Sequence, residues 1–305
     1  MNKKTTISFI CSILIFGVLF FLNLQNANAA RQAGNALVLY DAASGNIPDT
    51  KMMNFIDFPP GAAPPIYENA ATLLDTSTSG NETYAGWVSN AGSTHGFPLL
   101  DRAAGFQMNL SLQVENESHS NNKRAGFSII ILANDARGIE LAFWENEIWT
   151  QNDDLTGGLF THGETATFDT TSGLINYQLS VINDTYTLNA NGLSILTGPV
   201  RDYSAFEGFP NPYQTPNFLF IGDNTTSAQA RIRLSYVSIT GTETAPPTPT
   251  NTLTNTPPDT PTSTPTKIPT ASATPMTTDV GPCSLGTSIL LFLIFFNYFL
   301  AGNQR

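Results

Sequence analysis

Arg124-Ala-Gly-Phe-Ser-Ile-Ile-Ile-Leu-Ala-Asn-Asp-Ala-Arg-Gly-Ile-Glu-Leu-Ala-Phe-Trp-Glu-Asn-Glu-Ile-Trp-Thr150 is the stretch whose reading decides the fold. Phe127 to Ala133 is a short apolar run closed by Asn134-Asp135. A run of that length bounded by turn residues predicts a strand buried on both faces. Arg137-Gly138 ends the turn, and Ile139 to Trp144 predicts a second strand. Glu145-Asn146-Glu147 predicts a tight, solvated hairpin tip. Ile148 to Gln151 begins a third strand. The pattern is an antiparallel meander at the centre of a β-sandwich. It carries two of the chain's three tryptophans.

Working outward, Phe106, Met108, Leu110, Leu112 and Val114 alternate with polar residues up to Glu115. A period of two sets one face in a core and the other in water. Asn116 to Asn122 reads as a polar turn into the meander. Upstream, strands are expected at Leu37–Tyr40, Met53–Phe58, Ala71–Leu74 and Ala85–Val88. Downstream they are expected at Leu159–Thr161, Thr167–Phe168, Tyr177–Ile182, Thr185–Leu188, Leu193–Leu196, Phe218–Ile221 and Ile232–Ile239. Asn183-Asp184 and Asn191-Gly192 are hairpin turns. Arg201 to Phe206 is expected to form a single helical turn. No sustained helical period interrupts this series, and many short strands with frequent turns predict a sandwich or barrel.

The flanks differ from this domain. Lys3-Lys4, the apolar Ile7–Leu24 and Ala27-Asn28-Ala29 read as a signal peptide over 1–29. The β-sandwich domain is expected over 30–240. Residues 241–280 hold fifteen threonines and nine prolines without an aromatic residue. Such a tract buries no core, so 241–282 is expected to be an extended, disordered Thr/Pro stalk. Residues 283–305 are expected to be a C-terminal apolar helix acting as a membrane anchor or sorting segment. About nineteen residues at 1.5 Å each cover roughly 28 Å, the hydrocarbon thickness. The chain is thus expected to be exported, extracellular and held to the envelope.

Composition excludes several function classes. The only cysteines are Cys11 and Cys283, so residues 30–240 are no disulfide scaffold. Residues 31–240 hold nine basic and twenty-one acidic side chains, a net of −12. That charge argues against nucleic acid, whose phosphates need a basic footprint. His95, His119 and His162 are scattered in polar segments and do not show zinc spacing. No serine sits in a G-x-S-x-G context.

Tyr177-Gln-Leu-Ser-Val, the Asn-Asp turn, Tyr186-Thr-Leu and Asn191-Gly192 resemble the paired strands of the laminin-G-like branch of the concanavalin A-like lectin/glucanase superfamily. Arg124-Ala-Gly-Phe-Ser, Gly138-Ile-Glu-Leu-Ala-Phe-Trp, Arg201-Asp-Tyr-Ser and Ile221-Gly-Asp-Asn-Thr-Thr-Ser-Ala resemble bacterial extracellular "choice-of-anchor" domains. The resemblance spans most of residues 37–240. It implies an all-β jelly roll and a frame shared by sugar binders, glycosidases and structural modules.

The glucanases of that superfamily carry Glu-x-Asp-x-x-Glu. Here Glu145-Asn-Glu147-Ile-Trp-Thr150 departs from it at the second and third acids. Glu145 and Glu147, with Glu140, are the catalytic candidates. A retaining pair needs carboxyls about 5 to 5.5 Å apart. Trp144, Trp149 and Trp87 are candidate sugar-stacking rings if exposed, and core residues if not. The resemblance also implies loop calcium, with Asp223 and Asn224 as candidate oxygen ligands; otherwise Asp223 is a turn former. The expected function is non-catalytic recognition of polysaccharide at the cell surface. The alternatives are a glycoside hydrolase of the same fold and a display module without a ligand.

Overall fold

The computed structural model describes residues 36–78, 83–153, 159–208 and 211–242. The expected signal peptide, nearly all of the stalk and the C-terminal segment lie outside the described residues. In chain order the strands are β1 (Leu37–Asp41), β2 (Asn54–Phe58), β3 (Ile66–Glu68), β4 (Ala71–Asp75), β5 (Tyr84–Asn90), β6 (Phe106–His119), β7 (Ser128–Leu132) and β8 (Gly138–Phe143). They continue as β9 (Glu147–Gln151), β10 (His162–Thr167), β11 (Ile175–Ile182), β12 (Thr185–Ala190), β13 (Leu193–Pro199), β14 (Phe218–Asp223) and β15 (Ala228–Thr240). Among the described residues the only helical piece is the 3₁₀ turn Ala42–Ser44.

All pairings are antiparallel, and they form two sheets. One has eight strands in the order β13-β12-β11-β6-β15-β4-β3, with β1 also paired to β15. The other has seven, in the order β10-β9-β8-β7-β14-β5-β2. Phe106, Met108, Leu110, Leu112 and Val114 of β6 share one core with Ile129 and Ile131 of β7 and Leu141 of β8. The sheets therefore stack face to face as an antiparallel β-sandwich of jelly-roll type.

β7 is buried along its whole length. Its second apolar face has a specific cover. Ile130 and Leu132 pack with Phe218 and Phe220 under Tyr203 and Tyr213, which come from the segment after β13. The outer face of the seven-stranded sheet is thus roofed by the chain itself around β7 and β14.

Some local expectations are corrected. Residues 116–119 are no turn but the end of β6, because β15 extends to Ala228 and pairs it with His119. Leu159 and Phe160 form a turn, and β10 starts at His162. Arg201 does not open a helical turn. Its N–H donates to Gly138 O at 2.7 Å and its carbonyl accepts from Gly138 N at 3.1 Å, so its backbone groups are committed to a β-bridge. β3, only three residues long, has no sequence signal of its own. Asn191 and Gly192 have φ of 48° and 82°, as a tight hairpin turn requires at both central positions.

Candidate functional site

The tryptophans take three different places. Trp87 is 1% exposed, with its ring 5.5 Å from that of Phe55 inside the core. Trp149 is 0% exposed. It points away from the intersheet core, since its neighbours Ile148 and Thr150 point inward, but Trp144 and His162 cover it at 4.5 and 4.0 Å between ring centres. The expectation that Trp87 and Trp149 offer faces to a sugar is corrected on that ground: both rings are covered. Trp144 alone is half-buried. Its Nε1 donates to Arg124 O at 3.1 Å, which fixes the ring.

The stacking partner of Trp144 is a histidine. His119 lies flat on it, with ring centres 4.0 Å apart and planes 9° apart. The fold joins what the sequence separates: His119 ends β6, His162 begins β10, and both rings flank Trp144. Two of the three scattered histidines, His119 and His162, are strand-end residues gathered around one indole, while His95 lies in the turn after β5. Their spacing could not reveal this, because β6 and β10 belong to different sheets.

Carboxylates hold the two histidines. Glu117 Oε2 lies 2.9 Å from His119 Nδ1, and Gly126 N donates to its other oxygen at 3.2 Å. Burial pushes the Glu117 carboxyl up, while the hydrogen bond to His119 opposes this. Glu147 Oε1 is 3.7 Å from His162 Nδ1. Burial of His162 lowers its pKa, and the charge of Glu147 works the other way. The His119 side chain is 34% exposed and forms part of a depression of about 210 Å³. Ser118, Ser120, Thr226, Ser227, Ala228 and Gln229 line the rest of it. The wall contains hydroxyls, an amide and an imidazole, but no carboxylate.

The three candidate catalytic acids are engaged separately. Glu140 is fully buried on β8: Tyr213 Oη donates to one oxygen, Asn224 Nδ2 donates to the other at 3.0 Å, and the Arg124 guanidinium stands 3.6 Å away. Burial pushes both Tyr203 and Tyr213 well up, so both remain neutral donors. Glu145 is no free hairpin acid. It accepts from Glu117 N at 3.1 Å and Asn116 Nδ2 at 3.3 Å, which ties the hairpin to the end of β6. Glu147 accepts from Thr165 Oγ1. A larger open depression of about 460 Å³ is lined by Glu145, Asn146, Thr167, Phe168, Asp169 and Thr171. Its second acid, Asp169, is held below the usual carboxylate range by bonds from Thr171 Oγ1 and N.

Asp223 and Asn224 do not converge. Asp223 accepts from Thr76 Oγ1 at 2.7 Å and Thr225 N at 3.0 Å, and burial pushes its carboxyl well up. Asn224 turns to Glu140 and Arg124. Successive residues at a strand end point to opposite sides, so they are not one ligand set. Among the described residues no group of three or more His, Cys, Asp or Glu could hold a metal ion.

No family model matches the chain, and no curated protein matches it. Several solved structures are similar at low identity. One is a carbohydrate esterase from the Shiga toxin-encoding bacteriophage phi24B, with 12% identity, TM-score 0.43, and coverage of 68% of this chain and 100% of that one. Alginate lyase A1-II′ shows 14% identity and TM-score 0.38 over 69% of this chain and 96% of that one. The exoplasmic/lumenal domain of VIP36, in a Ca²⁺- and mannose-bound form, shows 10% identity and TM-score 0.39 over 67% and 88%. At these levels no residue role passes from any of them to this chain.

Proposed function

We propose that this chain is an exported, surface-held recognition module that binds neutral polysaccharide without cleaving it. The observation that carries the reading is His119, which lines the 210 Å³ depression and is backed on one face by the stacked Trp144 ring. A partly exposed ring face beside hydroxyl and amide groups suits a sugar's apolar face and its hydroxyls together. The acidic domain repels acidic glycans, so the partner is neutral. The separate engagement of Glu140, Glu145 and Glu147 supports binding over hydrolysis. One stacking contact contributes on the order of 1 kcal/mol, so affinity is in the high-micromolar to millimolar range.

The test is a glycan array followed by calorimetry on the full chain in detergent, with and without calcium. His119→Ala should weaken binding by about fivefold while the unfolding transition stays cooperative. No neutral glycan bound at millimolar concentration would overturn the reading. So would reducing ends released from a polysaccharide by the wild type and not by Glu145→Gln.

The burial of Trp87 and Trp149 favours a second reading, a display module without a ligand. Under it His119→Ala changes stability alone. Surface attachment through residues 283–305 belongs to the proposal as well. A chain ending at Val280 should then appear in the medium, and equal release of both forms would remove that part.

A further inference from the structure

The outer face of the eight-stranded sheet carries a charge-free grid. Asn189, Gln178 and Asn109 are Cα partners across β12, β11 and β6. Their side chains join in line: Asn189 Nδ2 donates to Gln178 Oε1 at 3.2 Å, and Gln178 Nε2 donates to Asn109 Oδ1 at 3.3 Å. Asn109 Nδ2 continues the line to Ser238 Oγ on β15 at 3.4 Å. Two residues along, Thr197, Thr187, Ser180 and Gln107 form a parallel row across β13, β12, β11 and β6. Apart from the buried Ser238, every member is partly or fully exposed, and none carries a charge. In a domain of net −12 this is a neutral island. The charged cross-strand pairs of the same sheet, among Arg231, Arg233, Glu68, Asp75 and Glu115, lie further along β15.

We propose that this grid is a second binding surface, for an extended neutral polysaccharide lying across the strands. The inference rests on the reading of the chain as a glycan binder but assigns a face of the other sheet. Strands repeat at about 4.8 Å and same-face residues at about 6.7 Å, so donors and acceptors recur on a lattice. A ligand that repeats its own hydroxyls along a chain meets such a lattice many times; a single small molecule meets it once. The amides are already aligned by their lateral bonds, so little side-chain freedom is lost on contact. A protein partner, including a second copy, would need an apolar centre of the kind that dominates protein interfaces. The exposed apolar residues nearest the grid are three separate ones at its margins: Ile182 and Leu193 at opposite ends of β11 and β13, and Val38 on β1, the Cα partner of Ser238.

The experiment uses the full chain in detergent, with soluble neutral glucan and mannan of high polymer length and with their short oligosaccharides. The double substitution Gln178→Ala with Thr187→Val should lower affinity for the long polymers by about tenfold, the loss of roughly two hydrogen bonds. It should leave the short oligosaccharides bound at the His119 depression unaffected. Ser180→Lys, which adds bulk to the grid without removing a lateral bond, should give the same loss if the double variant is poorly folded. Polymer affinity unchanged in both variants overturns the grid and leaves the His119 site standing. Loss of all glycan binding in His119→Ala alone does the same. A wild type that binds no neutral glycan sinks both readings. A self-associated wild type that the grid variants turn monomeric, with glycan binding intact, overturns the assignment of the partner.

Discussion

Trp149 and Trp144 show how five positions of separation decide a residue's fate. Trp149 is enclosed by Trp144, His162, Ala125 and Ala142. Trp149→Ala should therefore cost about 3 to 5 kcal/mol, as a large aromatic truncation in a packed interior does, read from urea denaturation. Trp144→Ala should cost clearly less, because half-burial leaves a smaller cavity. Equal losses would contradict the placement of the two rings. Asp223 supplies a second test at this scale. Its carboxyl is pushed up by burial, so the folded state holds a proton that the unfolded state has released. Stability from this group is fully present below the ordinary carboxylate pKa of about 4 and is lost as pH rises above it. Asp223→Asn keeps one acceptor oxygen, for Thr225 N, gives up the acceptor that Thr76 Oγ1 uses, and carries no charge. It should raise stability more at pH 7 than at pH 4; a uniform loss at both would mean the ionised form is the one the fold prefers.

At the scale of elements, β8 depends on a glycine at its first position. A Cβ on Gly138 would lie 1.9 Å from Ile131 O, inside the β7–β8 ladder, where backbone cannot give way. The same residue holds both bonds of the bridge to Arg201. Gly138→Ala should lower the melting temperature and cost about 1 to 3 kcal/mol or more, the cost of overpacking. Gly192→Ala has open space around it and only the positive φ to oppose it, so it should cost about 1 kcal/mol. Thermal melts of the two variants side by side check the order. The alternating run of β6 and the apolar run of β7 were legible because each strand's period records the layer it faces. The length of β6 was not, because its last residues are polar and are held as strand by β15.

The whole molecule should respond to pH through His162. Burial lowers its pKa, so the folded state prefers the neutral ring. The unfolded chain binds that proton near pH 6.5, and stability is lost as pH falls through that value toward the folded pKa. Glu117 has the opposite slope: its raised pKa makes stability fall as pH rises from the ordinary carboxylate value. The difference in melting temperature between wild type and His162→Gln, followed from pH 8 to pH 5, isolates the histidine. It should shift against the wild type as the pH drops; a pH-independent difference would mean the ring protonates freely in place.

The sequence by itself determined the all-β class, the central meander, the hairpin turns and the covered β7, because strand period and turn chemistry are local properties of the chain. Its net charge argues against nucleic acid as a partner. Only the tertiary structure decided which tryptophan keeps part of its ring in solvent, since strand parity does not say what lies on top of a sheet. It alone joined His119 to Trp144 and His162, and aligned Asn189, Gln178 and Asn109 into one row. Those meetings depend on the pairing order and register of distant strands and on how the two sheets stack, and no window of the chain contains both partners.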